Sequence, residues 1–409
     1  MALRGGRCEL ANRALLQPIH VDGGRVTGFG EEPGACATEL GADDVDLSGF
    51  FVMPGLINAH DHLQFALHPR LADPPYRNYV DWGNDIHAKF PDVFSQYRAV
   101  PKDVRLWWGG LRNLLCGVTT VCHHDPLWPE LKRQDFPVRV VRNYGWAHSV
   151  ALGQDLGHAF AATPPGSAFM IHAGEGIDEQ ARQEIFTLDR LGLLGARTVL
   201  IHGLAIDEQS LGLMKSRGTS LIVCPSSNEF LFHRLPDAAT ISRVENVALG
   251  SDSPLTSEGD LLDEVRFAVQ RCGISSQTVY RMVTTTPARI LGLTNGEGSI
   301  QVSSYADLVG IRDSGQSGVN ALPVMSVADI EFVMVAGRVN LASGRVFDAL
   351  PSSQRRRLEP LWIDGMVRWL RAPVKELLRR AEAVLGAGNV RLGGRTIRIP
   401  AQCEAMHVC

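Results

Sequence analysis

Two histidines one residue apart, His60 and His62, close the apolar stretch Pro54-Gly55-Leu56-Ile57-Asn58-Ala59. Read as a strand, the stretch turns His60 and His62 to one face and Asp61 to the other, because successive strand side chains alternate. Neutral imidazole is a common ligand for zinc and iron, so two on one rigid face are half of a first-row metal site. A His-x-His pair alone also arises by chance in a long chain, and its weight rests on how later strands end. Three do so in ligand-type side chains: Ala168-Phe169-Met170-Ile171-His172, Thr198-Val199-Leu200-Ile201-His202 and Asn246-Val247-Ala248-Leu249-Gly250-Ser251-Asp252. Glu175 follows His172 by three residues, a carboxylate placed to move a proton. An acid at a helix start is also favoured by the macrodipole, and both readings of Glu175 stay open at this point.

The elements that must position these residues alternate. Strand-like runs near residues 56, 119, 138, 169, 199, 221 and 247 are separated by helical patterns such as Arg105–Cys116, Ile177–Leu193, Asp207–Arg217, Gly259–Cys272 and Ser276–Leu291. Alternation of this kind predicts parallel βα units, with functional side chains at the C-terminal ends of the strands. Seven strands are one short of a (β/α)8 barrel. The missing one is either a short strand near Gly145–Val150 or an irregular side of the barrel. Outside this core the pattern is that of hairpins: Val21-Asp22-Gly23-Gly24-Arg25-Val26 near the start, and Ala306–Ile311 with Ile330–Val339 later. The expected organisation is a composite β-sandwich from 1–53 and 298–350, a barrel over 54–297, and a C-terminal helical extension and tail over 351–409. Within the last segment Leu361–Val384 is expected to be helix broken at Pro373.

Composition narrows the function classes. The chain has 409 residues, 45% hydrophobic and 21% charged, with a formal net charge of −4. A balance this ordinary speaks against a nucleic-acid or membrane-surface protein, and no apolar run is long enough to span a bilayer. The first residues carry charge without a following apolar segment, so no signal peptide is read there. Eight cysteines without a Cys-x-x-Cys pair fit free thiols in a reducing cytoplasm, with Cys403 and Cys409 expected to be exposed. Residues 351–409 hold 11 Lys/Arg against 5 Asp/Glu, read as a solvated helix face rather than a partner surface.

Taken in order, the motifs Pro54–Leu63, Gly117-Val118-Thr119-Thr120-Val121, His172-Ala173-Gly174-Glu175, His202-Gly203-Leu204, Cys224-Pro225-Ser226-Ser227-Asn228, Gly250-Ser251-Asp252-Ser253 and Ala306-Asp307-Leu308-Val309 resemble the amidohydrolase superfamily. The resemblance is to the branch of cytosine, guanine and S-adenosylhomocysteine deaminases and triazine chlorohydrolases, and it runs from about Gly23 to Val339. It implies an α/β fold, a distorted (β/α)8 TIM-type barrel with a small β-sandwich built from both termini. It implies one divalent metal, zinc most often and iron in some relatives, held by His60, His62, His172 and Asp252. No lysine ends the strands near 118 and 138, where binuclear relatives carry a bridging one. Glu175 is then the proton shuttle, Asp252 takes a proton from the attacking water, and His202 stabilises charge on the tetrahedral centre.

Gln64, Trp82, His123, His124 and His148 are candidates for substrate contact. Phe65 is a further candidate, although it and Trp82 are also ordinary core residues. Asn228 could line the pocket or only cap a turn. His20, His68, His87, His158, His233 and His407 lack strand-end context and read as structural or surface residues. The expected activity is hydrolytic deamination of a small heterocyclic amine. Hydrolysis of a cyclic amide or dechlorination by the same site is the alternative, and a non-catalytic assembly role the remote one. The expected partner is a small molecule. Many relatives assemble as dimers or larger, an expectation resting on the resemblance alone.

Overall fold

The computed structural model describes residues 1–10, 13–30, 41, 44–152, 155–257 and 259–401. Cys36, Cys403, Cys409 and His407 lie outside them. Eight parallel strands carry the site: β1 Leu56–Asp61, β2 Val118–His123, β3 Arg139–Val140, β4 Tyr144–Ser149, β5 Ala168–Ala173, β6 Thr198–His202, β7 Ser220–Val223 and β8 Val247–Leu249. They form a three-stranded sheet, β3-β2-β1, and a five-stranded sheet, β4-β5-β6-β7-β8. A parallel bridge between Asp61, the last residue of β1, and Asp252, just past the end of β8, joins the two sheets. The strands therefore follow one another in chain order from β1 to β8, with the first and last linked. No ladder joins β3 to β4 among the described residues.

The strand that the sequence left undecided is β4. Its residues, Tyr-Gly-Trp-Ala-His-Ser, contain no β-branched side chain and carry a glycine. Gly145 is needed there, because a Cβ would lie 1.8 Å from Thr163 Oγ1. Strand β3, expected near residue 138, spans only two residues.

The crossings between strands follow their caps. Helix α1 covers Tyr79–Lys89, α2 Pro91–Ala99 and α3 Lys102–Leu115. Asn78 caps α1 by accepting from the amides of Val80 and Asp81, which satisfies amides that have no partner inside the helix. α4, Glu179–Arg190, starts at an Asp178 cap. α5, Pro225–Phe232, begins with proline in its first turn, where a missing N–H costs nothing. α6, Leu261–Gln270, carries an Asp260–Asp263 capping box. The helix expected over 276–291 divides into Ser276–Met282 and Thr285–Ile290.

Both chain ends share a ten-stranded sheet in which Phe50–Pro54 pairs antiparallel with Leu308–Arg312, followed by Ile330–Val335 and Arg338–Ala342. The segment expected to be helical from Leu361 instead extends this sheet. Glu359–Ile363 and Met366–Leu370 form a hairpin around Asp364-Gly365, both with positive φ, the backbone of a two-residue primed turn. Helix α7, Val374–Leu385, begins only after Pro373. Proline blocks a helix interior, and the Asp-Gly turn had already committed the preceding residues to pairing. Among the described residues, no helix is long and apolar enough to cross a membrane.

Candidate metal centre and active site

β1 ends in His60 and Asp61, and the strand period separates them. Asp61 turns away and accepts from Asn113 Nδ2 at 2.7 Å, with Arg112 Nη1 at 3.4 Å. That buried cluster fixes the strand from behind, and Asn58 ties it to Ser251 on the β8 side. Gly250 lets the two strands close, since a Cβ there would lie 2.7 Å from His60 Cβ. The Asp252 amide then donates to the His60 carbonyl at 3.1 Å.

On the other face the ligand atoms converge. Nε2 of His60 and Nε2 of His172 are 3.3 Å apart. The Asp252 Oδ1 atom lies 3.7 Å from Nε2 of His60 and 3.8 Å from Nε2 of His62. Ligand atoms of His60, His62 and His172 all fall within 4.8 Å of one another. The outer nitrogens of His62 and His172 are already used, while His60 Nδ1 is buried with no hydrogen-bond partner among the described residues. His62 Nδ1 donates to Asp125 Oδ2 at 3.1 Å and His172 Nδ1 to the His148 carbonyl at 2.5 Å. Both partners are acceptors, so both rings hold their proton on Nδ1 and present a bare Nε2 lone pair to the centre. Asp252 is fixed in the same sense: its Oδ2 accepts from Ser227 Oγ at 2.9 Å and Thr256 Oγ1 at 3.0 Å, leaving Oδ1 to face the imidazoles.

Lone pairs and a carboxylate oxygen gathered in a buried space repel unless a cation sits among them. The donor set, three imidazoles and one carboxylate, is that of a divalent first-row metal. The spacing agrees as well. Tetrahedral nitrogen ligands about 2.0–2.1 Å from zinc lie roughly 3.3–3.4 Å apart, which is the His60–His172 separation. The residues present therefore fit a divalent metal.

Glu175 and His202 stand beside this centre, with His202 Nε2 3.6 Å from Glu175 Oε2. His202 Nδ1 donates to Asn228 Oδ1 at 3.0 Å, so its Nε2 faces the carboxyl as an acceptor. Burial first, then the charges of Asp252 and Glu184, push the Glu175 carboxyl well above the ordinary carboxylate range. α4 begins at Glu179, four residues beyond Glu175, so a first-turn role in that helix does not account for it. Asn228 is a buried partner of His202 rather than a turn cap. His202 and Asp252 both have positive φ, 73° and 50°. Non-glycine residues reach that region at a cost and cluster at functional sites.

A cavity of about 310 Å³ rises from His62, His172, Glu175, His202 and Asp252. Phe65, Trp82 and His148, candidates for substrate contact, line it. Three candidates do not. Gln64 turns its amide to Asp125 behind the wall. His123 accepts from the Leu63 amide at 3.3 Å, and His124 donates to the Ala147 carbonyl at 3.0 Å. The backbone just past β1 and that of β4 hold the two imidazoles inside the protein. His87, read as a structural or surface residue, lies on the cavity wall. Asp125, Ser227 and Thr256 were not anticipated. The signal for Asp125 was its place just past the end of the strand next to His-x-His. Two larger grooves, of about 1030 and 480 Å³, contain none of the centre's residues.

A sequence model described as the Amidohydrolase family matches residues 156–340. A 5-methylthioadenosine/S-adenosylhomocysteine deaminase of Haloarcula marismortui is 24% identical over 337 residues, covering 68% of this chain and 76% of its own. An atrazine chlorohydrolase from Arthrobacter aurescens, solved with zinc, superposes with a TM-score of 0.69 at 16% identity, over 94% of this chain and 99% of that one. An adenosine deaminase from Xanthomonas campestris with bound zinc gives 0.65 at 20% identity, over 94% and 97%. The chain thus carries an Amidohydrolase family region over residues 156–340, and that region holds β5 to β8, the strands that supply His172, His202 and Asp252.

Proposed function

We propose that this protein is a metal-dependent hydrolase of a carbon–nitrogen bond that deaminates a small heterocyclic amine. The observation that carries the reading is the convergence of three imidazole Nε2 atoms and Asp252 Oδ1 at the foot of a cavity that also holds Glu175 and His202. Relatives named as deaminases support the reaction class, and zinc in two similar structures supports the choice of metal. The frame is read as a distorted (β/α)8 barrel over 54–297, flanked by a β-sandwich from both chain ends. The strand order and the Asp61–Asp252 bridge support that reading.

His60, His62, His172 and Asp252 would hold the zinc ion. When bound, the ion supplies positive charge that lowers the pKa of a water from 15.7 toward about 7. Asp252, pinned through Oδ2, keeps Oδ1 in place to accept a proton. Glu175 is sheltered and faces the cavity, so it delivers a proton to the departing amine; ammonia leaves more readily than an amide anion. His202, its Nδ1–H held by Asn228, presents Nε2 beside the Glu175 carboxyl and, once that nitrogen has taken up a proton, donates to the oxygen that gains charge at the tetrahedral carbon. The cavity walls exclude bulk water and hold the ring against these groups.

The test is ammonia release by zinc-loaded protein from a panel of aminated purines, pyrimidines, pterins and triazines. Release from at least one compound, absent in His172→Ala, is expected. Ring opening of a cyclic amide, or chloride release from a chlorotriazine, with no ammonia from any compound would overturn deamination.

A further inference from the structure

The two acids on the cavity wall, Glu175 and Asp252, lie at its base. The outer half is basic. One face of α1 brings Val80, Asn84 and His87 to the wall, and Arg98 joins them from the last turn of α2. The Arg98 guanidinium lies 5.8 Å from the centroid of the Phe94 ring, and His87 packs on the same ring at 4.9 Å. No carboxylate pairs with Arg98 among the described residues. The nearby acids are engaged elsewhere: Asp81 with Arg77, and Asp85 with Lys89 and the Tyr76 hydroxyl. Asp92 sits at the opposite end of α2, in its first turn.

Behind this wall stands a second uncompensated cation. Arg105 is 9% exposed, and among the described residues its guanidinium donates only to backbone carbonyls, Val100 at 3.0 Å and Gln64 at 3.5 Å. Buried guanidinium groups ordinarily sit against a carboxylate. Burial, and then the charge of Arg98, pull the Arg105 pKa down. His68, also buried, is pulled down to about 3 by burial and by the same two guanidiniums. Positive charge therefore accumulates around one end of a cavity whose middle is apolar, with Phe65, Trp82, Ile86 and Leu255. A field of one sign in a low-dielectric cleft selects ligands of the other sign.

We propose that the substrate carries a carboxylate on the side remote from the bond that breaks, and that Arg98 binds it, with His87 and Asn84 beside it. The proposal rests on the hydrolase reading for which end of the substrate reacts. A planar two-oxygen anion matches a single guanidinium fork, and a cavity of about 310 Å³ holds a one- or two-ring heterocycle with a short acidic arm. Arg98 is then a specificity-determining residue: it separates acidic heterocyclic amines from their neutral twins.

The experiment uses matched pairs on zinc-loaded full-length protein: pterin and pterin-6-carboxylate, cytosine and 1-carboxymethylcytosine, adenine and adenine-9-acetate. Binding is followed by titration calorimetry, and ammonia release in parallel. In at least one pair the acidic member is expected to bind about tenfold or more tightly than its neutral twin, the scale of one charge-assisted hydrogen bond. Arg98→Met should erase that preference, chiefly through KM where turnover occurs, and Arg98→Lys should recover part of it. Equal binding within every pair, or equal weakening of both members by Arg98→Met, overturns the proposal. Ammonia release from neutral compounds would in that case leave the hydrolase reading standing. An Arg98-dependent preference without ammonia from any pair supports the anion site and overturns deamination instead.

Discussion

Nε2 of His60 and Nε2 of His172 face each other across 3.3 Å, while Nδ1 of His172 is spent on the His148 carbonyl. His172 therefore brings a lone pair, not a proton, to that contact. His62 is in the same condition through Asp125. A folded protein that gathers such groups binds a cation more tightly than its unfolded chain does, so metal and stability are linked. Purified protein should contain about one equivalent of divalent metal. Dipicolinate treatment should lower the thermal midpoint by several degrees, and zinc should restore it; at one hundred times Kd the linkage is worth about 2.7 kcal/mol. His172→Ala should lose both the metal and the response. A midpoint indifferent to chelator and zinc would remove the metal centre from the account.

Asp125 is not placed to touch a metal, yet it sets the tautomer of a residue that would. Without it, the His62 Nδ1–H has no acceptor in a buried setting, and the ring can turn or move its proton to Nε2. Loss of such an outer partner typically costs 10–100-fold in metal affinity. Asp125→Ala should weaken zinc binding by about that factor in competition with a chromogenic chelator, with an unchanged far-ultraviolet dichroism spectrum. Asp125→Asn should fall between, since its amide oxygen still accepts. Equal affinity in all three proteins would show that the contact does nothing for the centre.

Much of this arrangement was readable before any coordinates, for a physical reason. His60, His172, His202 and Asp252 each follow a run of buried apolar residues, and in parallel βα units strand ends gather on one side whatever the loops do. Side-chain direction beyond a strand end was not readable. His123 and His124 looked equivalent to the others, yet the Leu63 amide and the Ala147 carbonyl hold them inside. β4 was obscured because its residues satisfy local packing against Thr163 rather than strand propensity. The hairpin at 359–370 was misread because apolar spacing in Leu361–Leu370 suits either element, and the deciding signal was the Asp364-Gly365 turn.

Glu175 separates binding from proton transfer. It lies near His202 but is not among the groups converging on the centre. Glu175→Gln keeps the shape and removes the transferable proton. Once a turned-over compound is known, kcat should fall about 10²–10⁴-fold, with zinc content and ligand binding retained. A loss of metal in parallel with activity would mean that Glu175 supports the centre instead of moving protons.

Glu264 couples the same region to pH from below. It is 0% exposed, accepts from the Ser226 amide at 3.1 Å, and also meets the Ser226 hydroxyl. It thereby braces the first turn of α5, which delivers Ser227 to Asp252 and Asn228 to His202. Burial raises its carboxyl from 4.5 to about 8, against the lowering effect of those Ser226 bonds. The folded protein thus holds a proton that the unfolded chain releases above about pH 4.5. Linkage gives the sign: between roughly pH 4.5 and 8 the folded state binds more protons, so this group's contribution to stability declines as pH rises through that window. Glu264→Gln keeps an acceptor for the Ser226 amide and abolishes the titration. Its thermal midpoint should exceed that of the parent at pH 8, by about 1 °C for each kcal/mol of relieved cost in a chain of this length. At pH 5, where the parent carboxyl is protonated, the two proteins should differ little. Calorimetric scans of both proteins across that range test this directly, and parallel pH curves would show that Glu264 is ionised in the fold and stabilised by its neighbours.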